Sequence, residues 1–209
     1  MKDIRQEFWD NPAVVKSFKD RLPSIYITKV LDYFVQNNPD WKILDIGCGG
    51  GRYSKYLKDH NVNITAIDKH EKITVALREN KIPFILANMS SIPLKMETFN
   101  LILSIGVLHN AISWKEFRNS ISEISRLLLP KGYFLCSIFT NDVISRDLSH
   151  QKDQFFLISD KLPMLLLSKN DIDKIFSEYK LKKVRIIDEH ITNVGTGERN
   201  VYTALFQKV

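Results

Sequence analysis

The chain has 209 residues, 44% hydrophobic and 26% charged, a balance that fits a folded domain with a sizeable core and excludes wholesale disorder. Thirty basic residues against 24 acidic ones leave a net charge of +6. The excess is spread along the chain (10 against 8 over residues 1–60, 9 against 6 over 61–140, 11 against 10 over 141–209), so no basic arm for nucleic acid stands out.

Cys48 and Cys136 belong to no CxxC or Cys/His cluster. That argues against a zinc site and a disulfide framework, and for a reducing compartment. The opening MKDIRQEFWD has no apolar signal core, and no window has the length of a membrane span. The expected location is therefore cytoplasmic.

Residues 3–38 read as a helical preface. Asn11-Pro12 is a break, since Asn caps and Pro suits a first helical turn. Pro23 opens a second helical stretch with Ile27, Val30, Leu31 and Phe34 at helical spacing, and Asn37-Asn38-Pro39 stops it. Trp9, Phe18 and Tyr26 are candidates to cover a cleft, with plain packing as the competing reading.

From Trp41 the chain alternates. Strands are expected at 42–46, 62–68, 84–88, 99–105 and 133–139. Helices are expected at 51–59, 71–80 and 114–129, the last with an apolar stripe through Phe117, Ile121, Ile124 and Leu128, ended by Pro130-Lys131-Gly132. The fourth strand, FNLILSI, is nearly all apolar and so is expected to be buried on both faces.

Residues 140–167 break this rhythm. Such a long connection is often a lid or binding segment, and it carries Phe155, Phe156 and the run Leu165–Leu167. Ser168 then caps an expected helix at 169–179, with Asp171 and Asp173 in its first turn. A sixth strand follows in LKKVRIIDE, entered by the basic run Lys180, Lys182, Lys183 and Arg185, which reads as a solvated edge. The seventh, VYTALFQK, is expected at or near a sheet edge. Strands alternating with helices imply a parallel sheet covered on both faces, with ligands at the rim of C-terminal strand ends.

The first strand, KILDI, ends beside Asp45 and runs into Gly47, Gly49, Gly50 and Gly51 before a helical pattern. Strand, glycine turn and helix let a backbone approach a nucleotide-like ligand closely, because glycine has no Cβ in the way. Asp68 ends the second strand 23 residues after Asp45, placed to accept hydrogen bonds from ribose hydroxyls.

The glycine spacing separates cofactors. A dinucleotide turn is GxGxxG, whereas Gly47, Gly49 and Gly51 give GxGxG, with Arg52 next. Asp45 would face a pyrophosphate with like charge, but it suits a ligand carrying an ammonium and a sulfonium. The pattern is that of an S-adenosylmethionine (SAM) site.

At these residues the sequence resembles the class I SAM-dependent methyltransferases, in particular the broad group containing the ubiquinone/menaquinone-biosynthesis methyltransferases. The resemblance runs through ILDIGCGGGRYSKYL, Asp68, ANMSSIPLKMETFNLILSIGVLHN and ISRLLLPKGYFLCSIF, about residues 40–140. It implies an α/β fold: a seven-stranded, mostly parallel Rossmann-like sheet with helices on both faces, an N-terminal helical cap and an antiparallel C-terminal strand. The expected organisation is one domain, with a cap at 1–40, a SAM-binding core at 41–139, a substrate lid at 140–167 and a C-terminal helix and strands at 168–209.

The resemblance also implies roles. Gly47, Cys48 and Gly49 lie against the methionine part of SAM, within the turn that Gly51 completes, and Asp45 organises its amino group. Asp68 binds the ribose and Lys69 flanks the adenine. Asn88 stands where many relatives carry Asp, its carbonyl accepting from the adenine amino group, and the Met89 amide serves the ring. Ser104 and Ile105 contact the methionyl end. Asn88 is also a polar residue at a strand tip on the ligand rim, where orienting groups are expected.

His109, in the loop after the fourth strand, is a candidate general base, with packing in the loop as the competing reading. His60, His70, His150 and His190 are expected on solvated surface. No metal is expected. The expected activity is methyl transfer from SAM to an O, N or C atom of a small-molecule acceptor. A tRNA wobble-base methyltransferase and a non-catalytic SAM-binding regulator are the alternatives.

Overall fold

The computed structural model describes residues 4–19, 21–144, 148–157, 162–193 and 197–209. Three short helices open the chain: α1 (Ile4–Asp10), α2 (Pro12–Lys19) and α3 (Ile25–Asn37). Asn11 separates the first two, its Oδ1 accepting from the Ala13 N–H at 2.9 Å. The alternating core follows: β1 (Lys42–Ile46), α4 (Arg52–Asp59), β2 (Asn63–Asp68), a 3₁₀ turn at Glu71–Thr74 leading into α5 (Val75–Glu79), β3 (Phe84–Leu86), β4 (Phe99–Ile105) and α6 (Trp114–Leu127).

The rest of the chain comprises β5 (Leu128–Ile144), β6 (Ser149–His150), β7 (Phe155–Leu157), β8 (Pro163–Leu165), α7 (Lys169–Glu178), β9 (Leu181–Asn193) and β10 (Glu198–Lys208). Seven strands form one sheet in the order β3-β2-β1-β4-β5-β10-β9. The pairs β2/β3, β1/β2, β1/β4 and β4/β5 are parallel, and β10 is antiparallel to both neighbours. The expected seven-stranded Rossmann-like sheet with an antiparallel C-terminal strand is what forms.

Period-two alternation decides which face each strand residue serves. Leu44, Ile46 and Ile102 pack on the side of α6 and α7, with Phe117, Ile121, Ile124, Ile172 and Phe176. Ile43, Leu101 and Leu103 point to the other side, with Leu31 and Phe34 of α3 and Leu57 of α4. Each fully buried side chain of this size stabilises the fold by about 1.5–3 kcal/mol. Ser113 and Ser168 cap α6 and α7 through their hydroxyls, each accepting an N–H at 3.1 Å from Glu116 and Asp171 respectively.

The C-terminal strand lies near the sheet edge, as expected: β10 sits between β5 and β9, and β9 forms the edge. Its burial pattern explains this, since Val201–Phe206 are all buried while β9 is largely exposed. The helix expected at 71–80 is shorter and begins as a 3₁₀ turn.

A second revision concerns residues 140–167. The strand β5 continues to Ile144, well past the expected end at 139, and β6, β7 and β8 form a small antiparallel sheet. Phe156, Leu162, Met164 and Leu166 make a compact apolar cluster with Phe8 of α1 and Phe139 of β5. Leu165–Leu167 are buried, for the ordinary reason that three adjacent leucines are more stable out of water.

Candidate functional site

The site is a cleft at the C-terminal ends of β1, β2 and β4 and the segment after β3, where parallel strands open between crossover helices. Ile46, Gly47, Cys48, Gly49 and Gly50 form its floor, and Asp45, Arg52 and Tyr53 stand beside them. Asp68, Lys69, His70 and Ile73 form one side, and Ala87, Asn88, Met89 and Glu116 another. Ile105, Gly106, Val107 and Asn110 follow β4. Arg5, Trp9 and Phe18 close the cleft from α1 and α2.

Two glycines explain the close floor. At Gly47 φ is +65°, and an added Cβ would lie 2.5 Å from the Val107 side chain. At Gly49 φ is +53° and the nearest atom to an added Cβ is Ile73 Cδ1 at 3.7 Å, so the backbone there faces open cleft.

The amides of the turn are turned inward. Gly47 and Cys48 both donate to the Ile67 carbonyl, at 2.8 and 3.0 Å, and Gly51 donates to the Cys48 carbonyl at 2.9 Å. Gly49 donates to Asp68 Oδ2 at 2.9 Å. A turn that cradles phosphate aims its N–H groups at the ligand. These four amides are engaged within the protein.

The carboxylates carry the site's electrostatics. Asp45 is buried and accepts from the Ser54 hydroxyl at 2.6 Å. Burial pushes its carboxyl up to about 6, with the Ser54 bond and the Arg52 charge pulling the other way. Asp68 accepts from Gly49 on one oxygen and from the His70 N–H, at 2.9 Å, on the other. Burial raises its carboxyl as well, against the pull of those N–H groups. Glu116, buried at 7% exposure, reaches across from α6. It accepts from Asn88 Nδ2 at 2.9 Å and from the Ile112 N–H at 2.5 Å. Opposing them, Arg52 lies over the Tyr53 ring, 4.6 Å from its centroid, and burial lowers its guanidinium below the usual range. Arg5 reaches the Pro163 carbonyl at 3.0 Å.

Of the residues singled out in sequence, the cleft brings together Asp45, Gly47, Cys48, Gly49, Asp68, Lys69, Asn88, Met89 and Ile105. It does not include Gly51, Ser104 or His109. The Cβ position of Gly51 is occupied by Leu77, 2.5 Å away, so this glycine serves packing of the turn on α5. Ser104 is fully buried in the sheet, its Oγ without a hydrogen-bond partner among the described residues.

His109 is 2% exposed, stacked on Phe139 with centroids 4.4 Å apart. Its Nδ1 accepts from the Phe139 N–H at 3.3 Å. Burial, with the Arg199 charge adding to it, pushes the imidazole down to about 3. A ring enclosed in this way has neither the access nor the basicity of a general base.

The aromatics are also redistributed. Trp9 and Phe18 face the cleft as expected, whereas Tyr26 lies on a separate shallow groove with Lys29 and Arg185. No described residue of 140–167 lines the cleft; this segment instead braces α1 through Pro163 and the Phe8 cluster. His70 is buried beside the cleft, its ring 6.0 Å from Trp9, rather than on solvated surface. His60, His150 and His190 are exposed.

Arg5, Arg52, His70 and Glu116 were not found from sequence as site residues. Only Glu116 had a local signal, the Ser113-x-x-Glu116 capping spacing, and that spacing says nothing about a cleft.

Residues 44–136 match the family described as a methyltransferase domain. An uncharacterized protein of Methanocaldococcus jannaschii is 30% identical over 156 residues, which is 70% of this chain and 65% of that protein. The chain thus spans less than two thirds of that relative's length. A crystal structure of a SAM-dependent methyltransferase of Methanosarcina mazei superposes with a TM-score of 0.74 at 17% identity, covering 90% of this chain and 99% of the other. The Burkholderia thailandensis 1,6-didemethyltoxoflavin-N1-methyltransferase, with bound 1,6-didemethyltoxoflavin and S-adenosylhomocysteine, superposes at 0.65 with 16% identity, over 98% and 82% of the two chains. Both share its fold.

Proposed function

Because the chain belongs to the class I SAM-dependent methyltransferases, we propose that its cleft binds SAM and directs the methyl group to a small-molecule acceptor. One observation carries this reading. The glycine turn keeps the Gly47, Cys48, Gly49 and Gly51 amides inside while two buried carboxylates, Asp45 and Asp68, face the cleft. Such a floor disfavours a pyrophosphate and favours a ligand with cationic and hydroxyl groups.

In this reading Gly47, Cys48 and Gly49 form the surface under the methionine part, and Asp45 attracts its ammonium. Asp68 keeps lone pairs for ribose hydroxyls beyond the two N–H groups it accepts. Lys69, Ile73 and Met89 enclose the base, and Ile105 with Val107 shapes the methionyl end. When bound, SAM supplies an already activated methyl on its sulfonium.

The chain's contribution is then alignment and exclusion of water. Holding an acceptor in line is worth up to ~7–11 kcal/mol in favourable cases. Trp9 and Phe18 are the walls that dry the cleft and can face a cation with their rings. The acceptor's proton is not routed through His109, whose ring is packed away behind Phe139.

An acceptor space walled by α1 and α2 supports a small molecule. Incubation with methyl-labelled SAM, a low-molecular-mass cell extract and total tRNA tests this. Label is expected in small products. Label in tRNA would replace the acceptor assignment, and no labelled product would favour a non-catalytic binder.

A further inference from the structure

Asn88 cannot accept the adenine amino group in the way its strand-tip position suggests. Its Oδ1 already accepts two hydrogen bonds, from the Ser90 N–H at 2.9 Å and from the Ser90 hydroxyl at 3.0 Å. The orientation of the amide is chemically fixed. A backbone N–H can only donate, so Oδ1 faces Ser90, which leaves Nδ2 to donate to Glu116 Oε1, 2.9 Å away. With both Oδ1 acceptor positions filled, the side chain of Asn88, which lines the cleft, has its second amide hydrogen left to offer.

Glu116 has the capacity that Asn88 lacks. Its two oxygens offer about four acceptor positions, and the Asn88 and Ile112 bonds fill two. The side chain is pinned at both ends by those bonds, is buried, and lines the cleft beside Asn88 and Met89. A pinned carboxylate with free lone pairs accepts an exocyclic amine well and repels an exocyclic oxygen.

We propose that Glu116 is a cofactor-binding residue that accepts the hydrogen bond of the adenine 6-amino group, and so selects an adenosine over an inosine cofactor. This rests on the SAM reading of the cleft. Asn88 then acts as the positioning residue: it holds the carboxylate and leaves an N–H for a ring nitrogen. The capping position of Glu116 at the start of α6 fits the same placement, because the bond to Ile112 fixes the carboxylate from the other side.

The test compares S-adenosylhomocysteine with S-inosylhomocysteine, in which an oxygen replaces the 6-amino group, by calorimetric titration. The wild type is expected to prefer the adenosine compound by about 10- to 100-fold, the range of a hydrogen bond to a charged group. Glu116→Gln keeps one acceptor oxygen, for either Asn88 or Ile112, and sets an amide donor against the other N–H, so the preference should shrink to within about threefold with a lowered melting temperature, and binding is read on the folded protein below it. Asn88→Ala should lose affinity for both compounds while keeping the preference.

A Glu116→Gln variant that discriminates as the wild type does would overturn the proposal, as would a wild type that binds both compounds equally. Preference lost in Asn88→Ala but kept in Glu116→Gln would return the role to Asn88. Failure of the wild type to bind either compound would overturn the cofactor reading itself, a separate and recognisable result.

Discussion

The Gly49 N–H donates to Asp68 Oδ2 at 2.9 Å, joining the glycine turn after β1 to the acid at the tip of β2. One carboxylate therefore shapes the floor of the cleft and lines its side. Asp68→Ala should weaken S-adenosylhomocysteine binding by about 100-fold or more and also lower stability, since a buried N–H left without a partner costs about 1–3 kcal/mol. Calorimetry with thermal unfolding checks both. Wild-type affinity in this variant would remove Asp68 from the site.

Asp45 should show a conflict between stability and binding. Its folded carboxyl lies at about 6 against an ordinary 3.8. A group raised on folding contributes stability that is full below the unfolded value and is lost as pH rises through the folded one. At pH 7.5 the ionised Asp45 thus opposes folding, by up to about 3 kcal/mol. Asp45→Asn should raise the melting temperature at pH 7.5 and abolish cofactor binding. In the wild type, cofactor affinity should fall as pH drops below about 6, because protonated Asp45 no longer attracts an ammonium. A pH-independent affinity between 5 and 8 would contradict this.

His109 should titrate against stability and not against catalysis. Its imidazole is held near 3, from an ordinary 6.5. A group lowered on folding contributes stability present above 6.5 and lost as pH falls toward the folded value. His109→Gln should flatten the stability loss between pH 6.5 and 4. The variant should also keep S-adenosylhomocysteine affinity within about threefold, well under 1.4 kcal/mol. A bell-shaped rate profile whose acidic limb disappears in this variant would restore the general-base reading.

Gly50 reports on the cap. A Cβ there would sit 2.9 Å from backbone atoms of Phe18 and Lys19, so α2 cannot stay in place over Gly50→Ala. The bonds that hold the cap down from this side, Lys19–Glu79 and Lys72–Asp10, are surface pairs worth at most about 1 kcal/mol each. Gly50→Ala should expose residues 12–22 to proteolysis and reduce cofactor affinity by about 10-fold, the loss expected when Phe18 leaves the cleft. Unchanged protection would show that the cap does not depend on this contact.

The sheet and the floor of the site were legible in sequence because their signals are local. KILDI, the glycine spacing and Asp68 each carry their meaning within a few residues. What was hidden depends on contacts across the chain. The Asn88–Glu116 bond joins residues 28 apart, and Arg5 reaches the cleft braced by Pro163, 158 residues away.

The packing of residues 140–167 is hidden in sequence for a related reason. Its length suggests a lid, and only the partners of Phe156, Met164 and Leu166 show that these side chains also buttress α1. His109 shows the converse. A histidine in a loop at the ligand rim has the sequence context of a base, and one backbone N–H with one phenyl ring turns it inward.

In the proposed function, the floor formed by Gly47–Gly49, between Asp45 and Asp68, receives the methyl donor. Its most direct test is calorimetric titration of S-adenosylhomocysteine into the wild type and into Gly49→Val, whose side chain would enter the open cleft from a left-handed backbone position. Saturable binding of one molecule per chain is expected, lost in a Gly49→Val protein that still gives a helical and strand circular-dichroism spectrum. A wild type that shows no binding, or a folded Gly49→Val that binds equally well, would contradict it.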